Sequence, residues 1–199
     1  MHFLILYGTT EGQTRKIAEF VSDRIKTHSR GVTTLDATST AAADIKLRDY
    51  DGVIVAASVH AGLYQAAALD FVHSHHQTLN GMRTIFLSVS LSAASKDPDD
   101  QKGLEGCVSR FLAATAWKPG EVRHVIGAFR YTQYDFFKRW GMKLIAYQKG
   151  VSTDASRDLE MTEWAELASI ADAFVATVAK ANGVVADRSE NASKRRASS

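Results

Sequence analysis

Apolar positions along this 199-residue chain alternate between two rhythms. Short continuous apolar runs predict buried strands over residues 2–7, 52–57, 84–89 and 122–129, with a weaker one over 32–35. Between them, apolar residues recur at steps of three and four. Ile17, Phe20, Val21 and Ile25 predict a helix over 12–28, and Leu69, Phe71, Val72 and Leu79 predict another over 65–79. Residues 103–116 also read as helix. A last helix over 162–180 places Trp164, Leu167, Ile170, Ala171, Phe174 and Val178 on its inner side, with Thr162 as N-cap and Glu163 in its first turn. Strands alternating with helices predict an α/β fold, a parallel sheet covered on both faces. Right-handed crossovers and five strands favour the doubly wound order 2-1-3-4-5 over a Rossmann-like layout.

Two stretches break the alternation. Residues 130–149 are longer than an ordinary connection and read as an inserted arm. Residues 182–199 are polar and aperiodic, which predicts a disordered basic tail after a domain covering 1–181. Composition changes this picture little: hydrophobic residues are 45% and charged residues 23%, as in ordinary globular chains. Cys107 is the single cysteine, so no internal disulfide can form. No apolar run is long enough to span a bilayer, and the N-terminus enters a strand without a basic leader. The expected location is therefore cytoplasmic. Net charge is only +2, but residues 130–149 carry Arg130, Lys138, Arg139, Lys143 and Lys149 against the single acid Asp135.

The first strand ends in Tyr7-Gly8-Thr9-Thr10-Glu11-Gly12-Gln13-Thr14, and a helix begins at once. Small residues let the backbone wrap an anion, and free amides and the helix dipole favour negative charge there. No Gly-Lys-Ser/Thr follows and no G-x-G-x-x-G is present, which excludes a nucleotide P-loop and a dinucleotide fingerprint. Read without a ligand, Thr10 and Gln13 would form a capping box. Gly8 to Thr14 resembles the flavodoxin signature that wraps the FMN phosphate. On that resemblance Thr9, Thr10, Gly12, Gln13 and Thr14 hold the phosphate, while Glu11 stands where a threonine is usual and would have to face solvent. A flavodoxin-like fold places its ligand outside the C-terminal strand ends, where strand order reverses. There Ser58, His60, Gly62 and Tyr64 would line one side of a flat ring, and Ser88, Val89, Ser90 and Leu91 the other. A phosphoacceptor receiver domain is excluded, because strands one and three end in Tyr7-Gly8 and Ala57-Ser58 rather than in acids.

Over residues 1 to about 180 the chain resembles the menaquinone-dependent protoporphyrinogen oxidase family. The matching stretches are Gly-Gln-Thr-Arg at 12–15, Ala57-Ser58, Trp117-Lys118-Pro119, Gly127-Ala128-Phe129-Arg130-Tyr131, and the segment ending Lys143-Leu144-Ile145. The resemblance implies FMN as cofactor, oxidation of protoporphyrinogen IX to protoporphyrin IX in haem biosynthesis, and electron transfer to menaquinone or ubiquinone. Phe136, Phe137, Trp140, Leu144 and Tyr147 can share one helix face, with Lys138, Arg139 and Lys143 largely elsewhere. Such a basic aromatic arm suits an anionic membrane surface, which would place the enzyme peripherally on the inner membrane. The same cations suit the propionates of a porphyrinogen, with Arg130 and Tyr131 at the arm's start and Arg130 able to bind bidentately. Alternatively, the arm covers the domain's own core. Nucleic acid is a poorer partner, and self-association stays open.

No general base stands out; His60 and His124 are candidates. His73, His75 and His76 cluster on a helix without a cysteine or clear carboxylate partner and read as a solvated face, so no metal is expected. Cys107 reads as packing. A flavodoxin-type electron carrier and an NAD(P)H-quinone reductase are the rival readings, the carrier disfavoured by the basic arm.

Overall fold

The computed structural model describes residues 1–29, 31–129, 159–160 and 162–197, with side chains omitted at 128–129, 159–160 and from 184 onward. Five strands form one all-parallel sheet: β1 (His2–Gly8), β2 (Gly31–Asp36), β3 (Gly52–Ser58), β4 (Arg83–Ser90) and β5 (Glu121–Ile126). Their order is β2-β1-β3-β4-β5, as the strand count predicts. In register, Leu6 pairs with Leu35 on one side and Val55 on the other. The helices are α1 (Gln13–Lys26), the short α2 (Thr40–Ala43), α3 (Ala66–Leu79), α4 (Pro98–Thr115) and α5 (Trp164–Ala197).

Side-chain alternation along the strands divides the core in two. Phe3, Ile5 and Tyr7 of β1, Ile54 of β3, and Ile85, Leu87 and Val89 of β4 face α1 and α5. They meet Ile17, Val21 and Ile25 of α1, and Leu167, Phe174 and Val178 of α5. Leu4, Leu6, Val53, Val55 and Phe86 face the opposite layer, against Phe71 and Val72 of α3 and Val108 and Phe111 of α4. Each large side chain buried this way contributes about 1.5–3 kcal/mol, so both helical layers are held mainly by apolar burial. On the first layer α1 and α5 also contact directly, through the Phe20 and Trp164 rings (4.8 Å between centroids) and the two-pronged Arg24–Asp172 pair.

Three elements differ from the sequence reading. The strand expected over 122–129 divides. Ser90, the last residue of β4, pairs with Ile126, and a 3₁₀ turn at Ser92–Ala94 follows. Residues 128–129 therefore have no neighbour in the main sheet; they form β6 (Ala128–Phe129) and pair antiparallel with β7 (Leu159–Glu160). The helix expected from 103 begins at Pro98: Asp97 caps it by accepting from the Asp99 amide at 2.9 Å, and Asp99 and Asp100 lie in the first turn. The backbone remains helical to Ala197, where a disordered tail was expected from 182. Extending an existing helix is far easier than nucleating one, and this stretch contains no proline to stop it. The inserted arm at 130–149 lies outside the described residues. No helix among the described residues is long and apolar enough to cross a membrane.

Candidate functional site

At the C-terminal ends of β1, β3 and β4, where the winding reverses direction, the molecule has an open cleft of about 460 Å³. That position suits a small-molecule ligand in a doubly wound sheet. Thr9, Thr10, Glu11, Gln13 and Thr14 line one end; Ser58, Val59 and His60 line a second wall; Val89, Ser90, Leu91 and Gly127 line the third.

The loop between β1 and α1 has the features of an anion cradle. Gly12 precedes the helix with φ 87°, a left-handed conformation that costs glycine little and other residues more. No side chain caps the helix, and no acid lies in its first turn. The amides at its start, at Gln13 and Thr14, thus have no intrahelical acceptor and none from a cap. Thr9 folds the loop inward by accepting from the Gly12 amide at 2.9 Å. Thr14 Oγ1 is buried in the first turn without any hydrogen-bond partner. A buried hydroxyl left unpaired is costly, and an anion seated on these amides would satisfy it. The capping box does not form. Gln13 Nε2 donates to Thr162 Oγ1 at 2.9 Å, and Thr10 Oγ1 accepts from Gln65 Nε2 at 3.0 Å. Glu11, half-buried, also lines the open cleft, and no Lys or Arg joins it among the described lining residues.

The second wall is shaped by a tight turn after β3. The amides and carbonyls of His60 and Leu63 bond reciprocally at 2.8 and 3.0 Å. Between them Ala61 and Gly62 have φ of 50° and 79°, the pattern of a mirror-image type I turn. The third wall is pinned by backbone bonds: the Val59 amide donates to Val89 O at 2.8 Å, and the Gly127 amide to Ser90 O at 3.1 Å. Ser90 Oγ accepts from the Ala93 amide at 3.1 Å, fixing the loop that leaves β4.

The flavodoxin domain family matches residues 4–156. A protein of Escherichia coli strain K12, named protoporphyrinogen IX dehydrogenase [quinone], is 32% identical over 172 residues, covering 86% of this chain and 93% of its own length. A Leishmania major protein of the same name is 31% identical over 177 residues, covering 87% of this chain and 74% of its own. The chain belongs to the protoporphyrinogen IX dehydrogenase family. That is a family of oxidoreductases on a flavodoxin-like fold. The fold is also seen in a Streptococcus pneumoniae flavodoxin (TM-score 0.55, 17% identity, 89% of this chain and 99% of that one). A short-chain flavodoxin associated with a PDU bacterial microcompartment gives TM-score 0.53 and 18% identity at the same coverages.

Nine of the residues singled out in the sequence meet in this dehydrogenase-family cleft: Thr9, Thr10, Gln13, Thr14, Ser58, His60, Val89, Ser90 and Leu91. Gly12 shapes the cradle from behind. Three others do not line it. Tyr64 and Ser88 are buried together in the opposite core layer, their oxygens 2.7 Å apart, with the Tyr64 ring 4.9 Å from Phe111 and 5.2 Å from Phe86. Ser88 shares a face of β4 with Phe86 and lies two residues short of the strand's end, beside the apolar layer rather than at the cleft. Burial pushes the Tyr64 phenol well above its ordinary pKa, with the Ser88 hydrogen bond opposing the shift. Gly62 lies at the tip of the turn, where its carbonyl accepts from Arg110 Nη2 at 3.1 Å and Cys107 Sγ at 3.3 Å.

Thr162 is not the cap of α5 either. The helix begins at Trp164, the Glu163 carbonyl accepts its first bond, from Leu167, and the Thr162 hydroxyl donates to Ile126 O at 2.9 Å. Val59, Gly127, Gln65 and Thr162 were missed as site residues, although Gly127 opens one of the stretches that carry the family resemblance. His124 lies on the edge strand outside the cleft lining, and partial burial lowers its pKa. His73, His75 and His76 each direct Nδ1 to a backbone carbonyl, of Ala114, Phe71 and His73 in turn. Arg130, Tyr131, Lys138, Arg139, Trp140 and Lys143 lie outside the described residues.

Proposed function

We propose that the cleft binds FMN and that the protein oxidises protoporphyrinogen IX to protoporphyrin IX, delivering the electrons to a membrane quinone. The observation that carries this reading is the cradle of Gly12 to Thr14, with an unpaired buried hydroxyl and uncapped amides, in a chain related to the E. coli enzyme over 93% of that enzyme's length.

The residues present fit the cofactor. Thr9, Thr10, Thr14 and the first-turn amides of α1 offer neutral donors for a phosphate, and the helix dipole adds to them. Ser58, Val59 and His60 on one wall, and Val89, Ser90 and Leu91 on the other, leave a slot suited to a flat ring. Bound FMN would supply the acceptance of a hydride and its onward delivery as electrons. The protein's part is to hold that group at the cleft mouth, to exclude water from its walls and to receive protons. His60 and Glu11 are the titratable side chains among the described lining residues, and His60, on a ring wall, is the candidate proton acceptor in this reading.

The basic aromatic stretch 130–149 supplies the contacts for propionates and for an anionic membrane surface in this reading, through Arg130, Lys138, Arg139 and Lys143. Gly127, three residues before that stretch in sequence, lines the cleft.

Anaerobic turnover of protoporphyrinogen IX by FMN-loaded protein, with menaquinone or ubiquinone in lipid vesicles, tests the proposal through porphyrin fluorescence. Quinone-dependent porphyrin formation supports it. Flavin binding without turnover would leave an electron carrier, and quinone reduction by NADPH without porphyrin formation would leave a soluble-donor quinone reductase.

A further inference from the structure

We infer that Thr162 is a cofactor-positioning residue that orients Gln13 in the phosphate cradle from the far end of the chain. The inference rests on the FMN reading above and deepens it. Thr162 is buried, 8% exposed, and stands 149 residues from Gln13 in sequence. Its hydroxyl makes two bonds whose polarity is forced. Ile126 O is a backbone carbonyl and can only accept, so the Thr162 proton goes there, at 2.9 Å. Thr162 Oγ1 is then left with lone pairs only, and Gln13 must present its NH2 to it, also at 2.9 Å. One carbonyl at the end of β5 therefore decides which way the Gln13 carboxamide faces. Gln13 is the first residue of α1 and lines the cleft, so the ordered side chain stands at the helix start whose amides would hold the phosphate.

The same bonds join the cradle to the wall beyond it. Ile126 is followed by Gly127, which lines the cleft and donates to Ser90 O. Thr162 thus links the start of α1, the end of β5 and the chain leading into α5. No sequence motif marks it, since its partners come from two distant segments.

The test is flavin affinity measured by fluorescence quenching, with FMN and with riboflavin, which lacks the phosphate. In Thr162→Ala, FMN affinity falls about three- to tenfold, the scale of one net hydrogen bond. Riboflavin affinity stays within about twofold of wild type, because the ring walls are pinned by backbone bonds that the substitution leaves intact. Thr162→Ser retains the hydroxyl and restores FMN binding. Gln13→Ala and Thr162→Ala together lose no more than the larger single loss, the non-additivity expected of one coupled unit. Equal losses for both flavins, a serine variant as weak as the alanine one, or additive losses would each overturn the inference. Retained riboflavin binding also reports that the variant is folded. Wild-type protein that binds no FMN would remove the cofactor reading itself; wild type that binds it, with Thr162→Ala indistinguishable, removes only the role of Thr162.

Discussion

The carboxamide nitrogen of Gln65 donates to Ser58 Oγ at 2.7 Å, across the gap between the end of β3 and the start of α3. The same nitrogen reaches Thr10 Oγ1 at 3.0 Å, so a single side chain outside the cleft lining ties the phosphate cradle to the second wall. Gln65→Ala removes both bonds. FMN affinity is expected to fall about three- to tenfold, given that a net hydrogen bond contributes about 0.5–1.5 kcal/mol. Isothermal titration of the apoprotein measures this, and an unchanged affinity would show that the two walls hold their spacing without Gln65.

Thr14 offers a prediction of opposite sign for stability and binding. Its buried hydroxyl has no partner in the protein, so Thr14→Val removes a desolvated polar group of nearly the same shape. Relief of such a group contributes up to about 1–3 kcal/mol, so the apoprotein should melt at the same or a higher temperature. FMN affinity should fall, because the hydroxyl that would meet the phosphate is gone. A variant that is both less stable and unimpaired in binding would show that the hydroxyl serves the fold.

Tyr64 and Ser88 were plausible ring contacts by sequence position, and the structure places them in the core instead. Tyr64→Phe leaves the Ser88 hydroxyl short of its partner and should destabilise the fold by about 1 kcal/mol. Flavin affinity should be unchanged. Thermal denaturation and FMN titration on the same variant separate the two effects, and a large loss of affinity would return Tyr64 to the site.

Asp172 gives the fold an acid-sensitive contact. Hydrogen bonding from Arg24, then from His28, holds its carboxyl at about 2, below its ordinary 3.8, against the opposing effect of desolvation. A depressed folded pKa means that the pair stabilises the protein above about pH 4 and ceases to do so as the pH falls through about 2. The carboxylate is 36% exposed, so screening keeps the effect modest and added salt should shrink it. The melting temperature of wild type minus that of Asp172→Asn should be positive near neutrality and approach zero between about pH 4 and pH 2. A difference that grows with acidification would contradict the pairing.

The layered fold was legible in the sequence because strand and helix periodicities are both strong here. Phe3, Ile5 and Tyr7 alternate with Leu4 and Leu6 in a run buried on both faces, and Ile17, Val21 and Ile25 mark one side of α1. The cradle was legible because Gly12 and its neighbouring threonines sit next to one another in the chain. Features set by depth along a strand or by distant segments were harder to read. Ser88 and Ser90 look alike in sequence, yet Ser88 pairs with Tyr64 in the core while Ser90, beyond the last apolar layer, reaches the cleft. The start of α4 at Pro98 carried a visible signal in Asp97 and two further acids, but its first turns lack apolar periodicity. Thr162 looked like a helix cap, because nothing local shows that its hydroxyl donates to Ile126 O and accepts from Gln13.

Protoporphyrinogen IX is expected to reduce a flavin held in this cleft. The most direct measurement is a single anaerobic mixing of protoporphyrinogen IX with FMN-loaded protein in the absence of quinone, following flavin absorbance and porphyrin fluorescence together. Flavin bleaching that coincides with the rise of porphyrin fluorescence, and that is lost when Thr14→Val protein fails to retain FMN, is the predicted result. Flavin that stays oxidised in the presence of excess protoporphyrinogen, in protein shown to hold FMN, would contradict the account.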